Sequence, residues 1–317
     1  MRLVRSLASV DGERAPLVET RMLLMVNRMI AQLTLLLLLA SLPAIALAEE
    51  LYVQHQNVVY AEEHGVGLLL DVFVPTGQKN GRGIIDVASG AWHSDRGKIR
   101  DHEKAKVFPL LCGKGFTVFA VRPGSVTKFS APEMLGNLKA GIRWVKEHAS
   151  EYEIDANQLG LMGASAGGHL ASLAAVTADD STRVKAVGVF FPPTDFLDYG
   201  GKRLDQSPEG SIGKLTRALA FPPGLAEGRT PEEITAALAA ISPARLVEAG
   251  ASPYLTIHGD ADPVVPLQQS QRMVEALHEK GIAAELIVKP GGGHPWPTLN
   301  EEVAVMADWF VGQLVDK

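Results

Sequence analysis

Cysteine is almost missing: Cys112 is the only one in 317 residues. A single thiol excludes an intrachain disulfide framework and any cysteine-rich metal site. It lies in the apolar run Val107-Phe108-Pro109-Leu110-Leu111-Cys112, where free cysteine serves as a small core hydrophobe. No neighbour in that run could activate it as a nucleophile. Charge is also sparse, at 21% of residues with a net charge of −6 and no basic run. The electrostatic footprint for nucleic acid or anionic lipid is therefore absent, and no nucleic-acid partner is expected. There is no internal repeat, and 46% of the residues are apolar. Disordered, collagen-like and repeat-dominated chains are excluded.

The longest apolar run is N-terminal and reads as an export signal. Arg21 and Arg28 precede a stretch from Ile30 through Leu39 that ends in Ala46-Leu47-Ala48, followed by Glu49-Glu50. A positive flank, an apolar core and small residues before the cut are the parts of a secretory signal. Ile30 to Ala48 is also about long enough to span a bilayer, but Ser41, Pro43 and the Ala-Leu-Ala site favour cleavage after Ala48. The stretch before Arg21 is long for a signal, which makes Met22 and Met25 alternative starts. No cysteine follows for lipid attachment. The expectation is a signal over residues 1–48 and one large α/β domain over 49–317. The mature protein would be periplasmic or secreted, with no stable membrane anchor. Residues 1–48 hold five of the 30 bases and three of the 36 acids, so the remaining 269 residues carry 25 and 33, a net −8.

In the body, apolar runs and helical stripes alternate. Strands are expected over Val66–Pro75, Gly83–Ala88, Phe116–Val121, Leu159–Met162, Val184–Phe191, Tyr254–His258 and Ala284–Val288. Helices are expected over Glu103–Cys112, from the Ser130-Ala131-Pro132-Glu133 capping box onward, over Ala166–Thr177 and Pro266–Leu277, and along Val303, Met306, Phe310 and Leu314. This alternation argues for an α/β fold with a mostly parallel sheet and helices on both faces. Pro192 to Ser242 breaks the rhythm with Pro192-Pro193, Gly200-Gly201 and Pro222-Pro223-Gly224. So long an irregular insert, with short helical patterns such as Pro231 to Ala240, reads as a lid or binding element.

Three separated motifs carry chemistry. Gly163-Ala164-Ser165-Ala166-Gly167 matches G-x-S-x-G between a strand and a helix, the context in which a serine projects from a strained turn. The helix after it aims free amides at a developing oxyanion. His258-Gly259-Asp260-Ala261-Asp262-Pro263 follows an apolar strand. An acid there can orient a histidine and stabilise its imidazolium. Of the two, Asp262 is assigned that role, and Asp260 is read as holding the loop through backbone hydrogen bonds. Gly291-Gly292-Gly293-His294-Pro295-Trp296 places a histidine on a flexible loop after the last strand. His258, His169 and His93 are rivals to His294. His258 and His169, one on a strand and one in a helical turn, are read as structural.

The order Ser165, Asp262, His294 is that of the α/β-hydrolase arrangement. The chain resembles that superfamily over Leu51 to Lys317, in the esterase/lipase branch with bacterial feruloyl-esterase-like and acetylesterase-like proteins. The resemblance implies an α/β-hydrolase fold with a lid-like insert, Ser165 as nucleophile, Asp262 as acid and His294 as general base, with no cofactor and no metal. Many members carry His-Gly-Gly-Gly-Trp after the third strand, where this chain has Ala88-Ser89-Gly90-Ala91-Trp92. The oxyanion donors expected are the Ala166 amide with Gly90 and Ser89. Trp92 and Trp296, with Phe191, Phe196, Tyr199 and Phe221, either line a substrate cleft or form local core. The expected activity is hydrolysis of a small-molecule or polysaccharide-linked ester, of feruloyl or acetyl type. The alternatives are a serine exopeptidase or amidase of the prolyl-oligopeptidase type and a non-catalytic binding protein on the same scaffold. The first usually needs an N-terminal propeller for which there is no room. The second usually loses a triad member, and here all three positions are filled.

Overall fold

The structure, a computed structural model, describes residues 21–32, 50–204, 207 and 209–315. Residues 21–32 are helical, and among the described residues no helix is long and apolar enough to cross a membrane. The rest of the expected signal, including Ala46-Leu47-Ala48, lies outside the described residues. Glu50–Lys317 forms one compact unit.

That unit is built on eight strands: β1 (Tyr52–Glu63), β2 (Val66–Pro75), β3 (Gly83–Val87), β4 (Thr117–Arg122), β5 (Leu159–Ala164), β6 (Ala186–Phe190), β7 (Tyr254–Gly259) and β8 (Ala284–Lys289). They form one sheet in the order β1-β2-β4-β3-β5-β6-β7-β8. The β1–β2 and β2–β4 pairs are antiparallel, and every later pair is parallel. β3 to β6 are almost continuously apolar because both faces are covered. Side chains alternate across such a sheet, so Ile85 and Val87 join one core and Ile84 the other.

On the first face lie α3 (Ala131–Glu147), α4 (Ala166–Val176) and α7 (Gln268–Glu279); on the second lie α1 (Arg96–Lys104), α2 (Val107–Gly113) and α8 (Leu299–Leu314). Ser130 and Glu133 form the capping box that starts α3. The helix expected over Glu103–Cys112 is in fact two helices, α1 and α2, with the chain turning at Lys106 (φ 61°). Pro109 is the cause. A proline inside a helix lacks its N–H and clashes with the carbonyl four residues earlier, which would be that of Ala105. Placing Pro109 in the first turn of a new helix removes both faults.

β1 has only the short apolar run Val58-Val59-Tyr60-Ala61 and is not among the expected strands. It is an edge strand with Gln54, His55, Gln56 and Asn57 in its middle, and two register shifts interrupt its alternation. The insert is more regular than its Pro and Gly content suggests. It carries α5 (Ser211–Ala220) and α6 (Pro231–Ala240), the latter capped by Thr230 and Glu233 with Pro231 in the first turn. Residues 205, 206 and 208 within it lie outside the described residues. Its first part is fastened to α7: Gln269 Oε1 accepts from the Thr194 and Asp195 amides, and Arg272 pairs with Asp195 and Asp198.

Candidate active site

The turn between β5 and α4 brings Ser165 to the carboxyl end of the sheet. Its backbone is held at φ 52° and ψ −120°, a region costly for a residue with a side chain. The Ser165 amide donates to Phe190 O at 2.9 Å, and its carbonyl accepts from His169 at 2.9 Å. The two motif glycines are required by space. A Cβ on Gly163 would lie 2.5 Å from the Gly167 carbonyl carbon, and one on Gly167 would lie 2.3 Å from Val87 O. Ala166 opens α4, so its N–H has no helical acceptor.

The loops after β7 and β8 deliver the other two groups. Ser165 Oγ and His294 Nε2 are 2.8 Å apart, and His294 Nδ1 lies 2.7 Å from Asp262 Oδ2. Asp262 Oδ1 accepts the amides of Val264 and Val265 at 2.8 and 2.9 Å. Burial opposes its charge, but hydrogen bonds from His258, His294 and these amides outweigh that and hold the carboxyl well below the usual range. Asp260 accepts from the Gly291 amide at 2.7 Å and ties the two loops together. The loops touch closely there: a Cβ on Gly259 would meet Gly292 O at 2.1 Å.

Among the described residues, no rival histidine ring is hydrogen-bonded to Ser165 Oγ. His258 is fully buried between Ser270 Oγ (2.7 Å) and Val265 O (2.9 Å), with Asp262 at 3.4 Å. His169 is buried between Trp92 Nε1 and Ile241 O. His93 is paired through its backbone with Gly90.

The loop facing Ser165 differs from expectation. The Gly90 amide donates to His93 O at 3.0 Å and the Ser89 amide to Val87 O at 2.9 Å, so neither amide is free for an oxyanion. The cause is a tight turn in which Ala91 and Trp92 both take positive φ. The Ala91 amide makes no backbone hydrogen bond among the described residues. Ser89 Oγ is buried and also without a partner there. The loop is fastened to the nucleophile turn by Gly167 N donating to Ser89 O at 3.1 Å.

A cavity of about 520 Å³ opens over Ser165 and His294. Trp92, Phe196, Tyr199, Ile212, Leu215 and Leu219 form much of its apolar wall, so the insert roofs the site. Trp296 does not line it. It is buried against Phe191, its Nε1–H donating to Glu302 at 2.7 Å, and is a core residue. Phe221 also lies off the cavity, beneath Arg229. Lys98 and His102 are on the cavity wall as well, and nothing in the sequence motifs pointed to them; only the packing of α1 beside the Ser89–Ala91 turn brings them there.

The BD-FAE family model matches residues 70–277. The chain belongs to this family. Its fold is that of the α/β-hydrolase esterases. Esterase LipC of Mycobacterium tuberculosis is 27% identical over 271 residues, covering 80% of this chain and 63% of LipC. Endo-1,4-beta-xylanase B of Butyrivibrio fibrisolvens is 28% identical over 223 residues, 67% of this chain and 32% of the xylanase. This BD-FAE chain thus spans less than two thirds of either curated relative. Among solved structures, a truncated carbohydrate esterase from gut microbiota superposes with a TM-score of 0.72 at 27% identity, over 84% of this chain and 98% of its own.

Proposed function

We propose that this BD-FAE protein is a serine carboxylic-ester hydrolase, exported to the periplasm or the medium, acting through Ser165, His294 and Asp262. The observation that carries the reading is the continuous hydrogen-bonded chain from Ser165 Oγ through His294 to Asp262 at the floor of an apolar cavity. His294 Nε2 takes the proton as Ser165 Oγ attacks the ester carbonyl. Asp262, held charged, fixes the tautomer and stabilises the imidazolium. The Ala166 amide receives the oxyanion, joined from the facing loop by the Ala91 amide and the Ser89 hydroxyl. His294 returns the proton to the departing alcohol, and water then repeats the sequence on the acyl-enzyme.

The cavity's size and apolar walls favour a bulky aromatic acyl group such as feruloyl over acetyl, since burying apolar surface drives such binding. The carbohydrate esterase and xylanase relatives support an ester linked to a polysaccharide or released from one. The test is hydrolysis of p-nitrophenyl esters, methyl ferulate and acetylated xylan by native protein and Ser165→Ala. Turnover that vanishes with the serine supports the reading, and turnover that persists refutes it. Export is tested by N-terminal sequencing of protein from the periplasm and medium, which should begin at Glu49.

A further inference from the structure

We propose that Lys98 forms an anion subsite on the wall of the catalytic cavity, so that the preferred esters carry a carboxylate on their acyl or alcohol part. The inference rests on the esterase reading for its catalytic consequence but not for binding.

Lys98 stands in the first turns of α1, whose start is set by Asp95 accepting the Gly97 amide at 2.6 Å. Its side chain runs across Gly90. A Cβ built there would lie 3.0 Å from Lys98 Cδ and 3.2 Å from Nζ. The bare glycine therefore leaves the path along which the ammonium reaches a wall shared with Ser165 and His294.

The charges around it leave Lys98 available. Asp101, which lines the same cavity, is its partner at 3.4 Å, is 53% exposed, and is also approached by Lys104 at 3.5 Å. Exposed pairs of this kind hold a lysine weakly. The buried Asp86 is taken by His102, whose Nδ1 lies 2.6 Å from Asp86 Oδ2. Most of the remaining wall is apolar. A cation on a largely apolar wall interacts more strongly with an incoming anion than it would in water. With a net charge of −6 on the whole chain, the overall field does not draw anions in. A preference for them must come from a local cation.

The test uses two matched pairs, p-nitrophenyl hemiglutarate against p-nitrophenyl valerate, and the butyryl ester of para-hydroxybenzoate against phenyl butyrate. The first pair places the carboxylate on the acyl side and the second on the alcohol side. Lys98→Met should lower kcat/KM for the charged member of one pair about tenfold, mainly through KM, the scale of one lost hydrogen bond to a charged group. The neutral members should change less than about twofold, and Lys98→Arg should restore the preference. Binding of monobutyl glutarate to Ser165→Ala, by calorimetry, gives a readout independent of turnover, and adding Lys98→Met should weaken it by a similar factor. If the charged-to-neutral ratio in both pairs and the calorimetric affinity are unchanged by Lys98→Met, the subsite is overturned. Continued cleavage of the neutral esters in that case would leave the catalytic reading standing.

Discussion

Acid should weaken this fold through one buried histidine. His169 is fully buried, and burial holds its imidazole down to about 4 from the ordinary 6.5. The geometry agrees with a neutral ring. Trp92 Nε1–H can only donate, so Nδ1, at 3.0 Å, must accept, while Nε2–H donates to Ile241 O at 2.7 Å. Below the ordinary value the unfolded chain takes up this proton and the folded chain does not. Stability contributed by the neutral ring is therefore present above about pH 6.5 and is lost progressively as pH falls toward about 4. Linkage with that shift gives a loss of about 2 kcal/mol between pH 8 and pH 5, rising to about 3 kcal/mol at lower pH. His169→Gln can keep an acceptor and a donor without titrating. Urea unfolding of both proteins at about pH 8 and pH 5 should show the native protein losing about 2 kcal/mol more than the variant. His102, which Asp86 pushes the other way against its own burial, is common to both and cancels in the comparison. Equal pH dependence in the two proteins would refute the argument.

Asp262→Asn should cut kcat by about four orders of magnitude without loss of fold, because the wrong imidazole tautomer is favoured. Asp260→Asn should cost far less activity and act by loosening the Gly291 amide; comparing both rates with both melting temperatures separates the two acids. Gly167→Ala drives a methyl into Val87 O and should destabilise by about 1–3 kcal/mol or more, read from denaturant midpoints, with activity falling as the Ser89 loop shifts. Cys112, buried and with its thiol pushed up to about 12, should stay unlabelled by a thiol reagent until urea unfolds the chain.

What could be read before the structure was what depends on local periodicity and chain order. The strands β3 to β7 announce themselves because both their faces are buried, which leaves unbroken apolar runs. The order of Ser165, Asp262 and His294 follows from loops at one end of a parallel sheet. β1 is nearly silent for the opposite reason: an exposed edge with bulges loses the alternation that marks a half-buried strand. The break at Lys106 goes against the single helix expected over Glu103–Cys112, although Pro109 signals it by a purely local rule, its clash with Ala105. The reading of the Gly90 amide as an oxyanion donor failed at another level. A backbone amide's presence is certain from sequence, but its availability depends on the turn, and here the Gly90–His93 bridge consumes it. Trp296 went to the core because Glu302, one turn into α8, satisfies its N–H inside the fold. Trp92 stayed on the cavity wall because its N–H is satisfied from behind by His169. Two tryptophans beside catalytic motifs thus part ways according to where a polar partner stands. That partner is set by helix packing, which a run of residues around the motif does not encode.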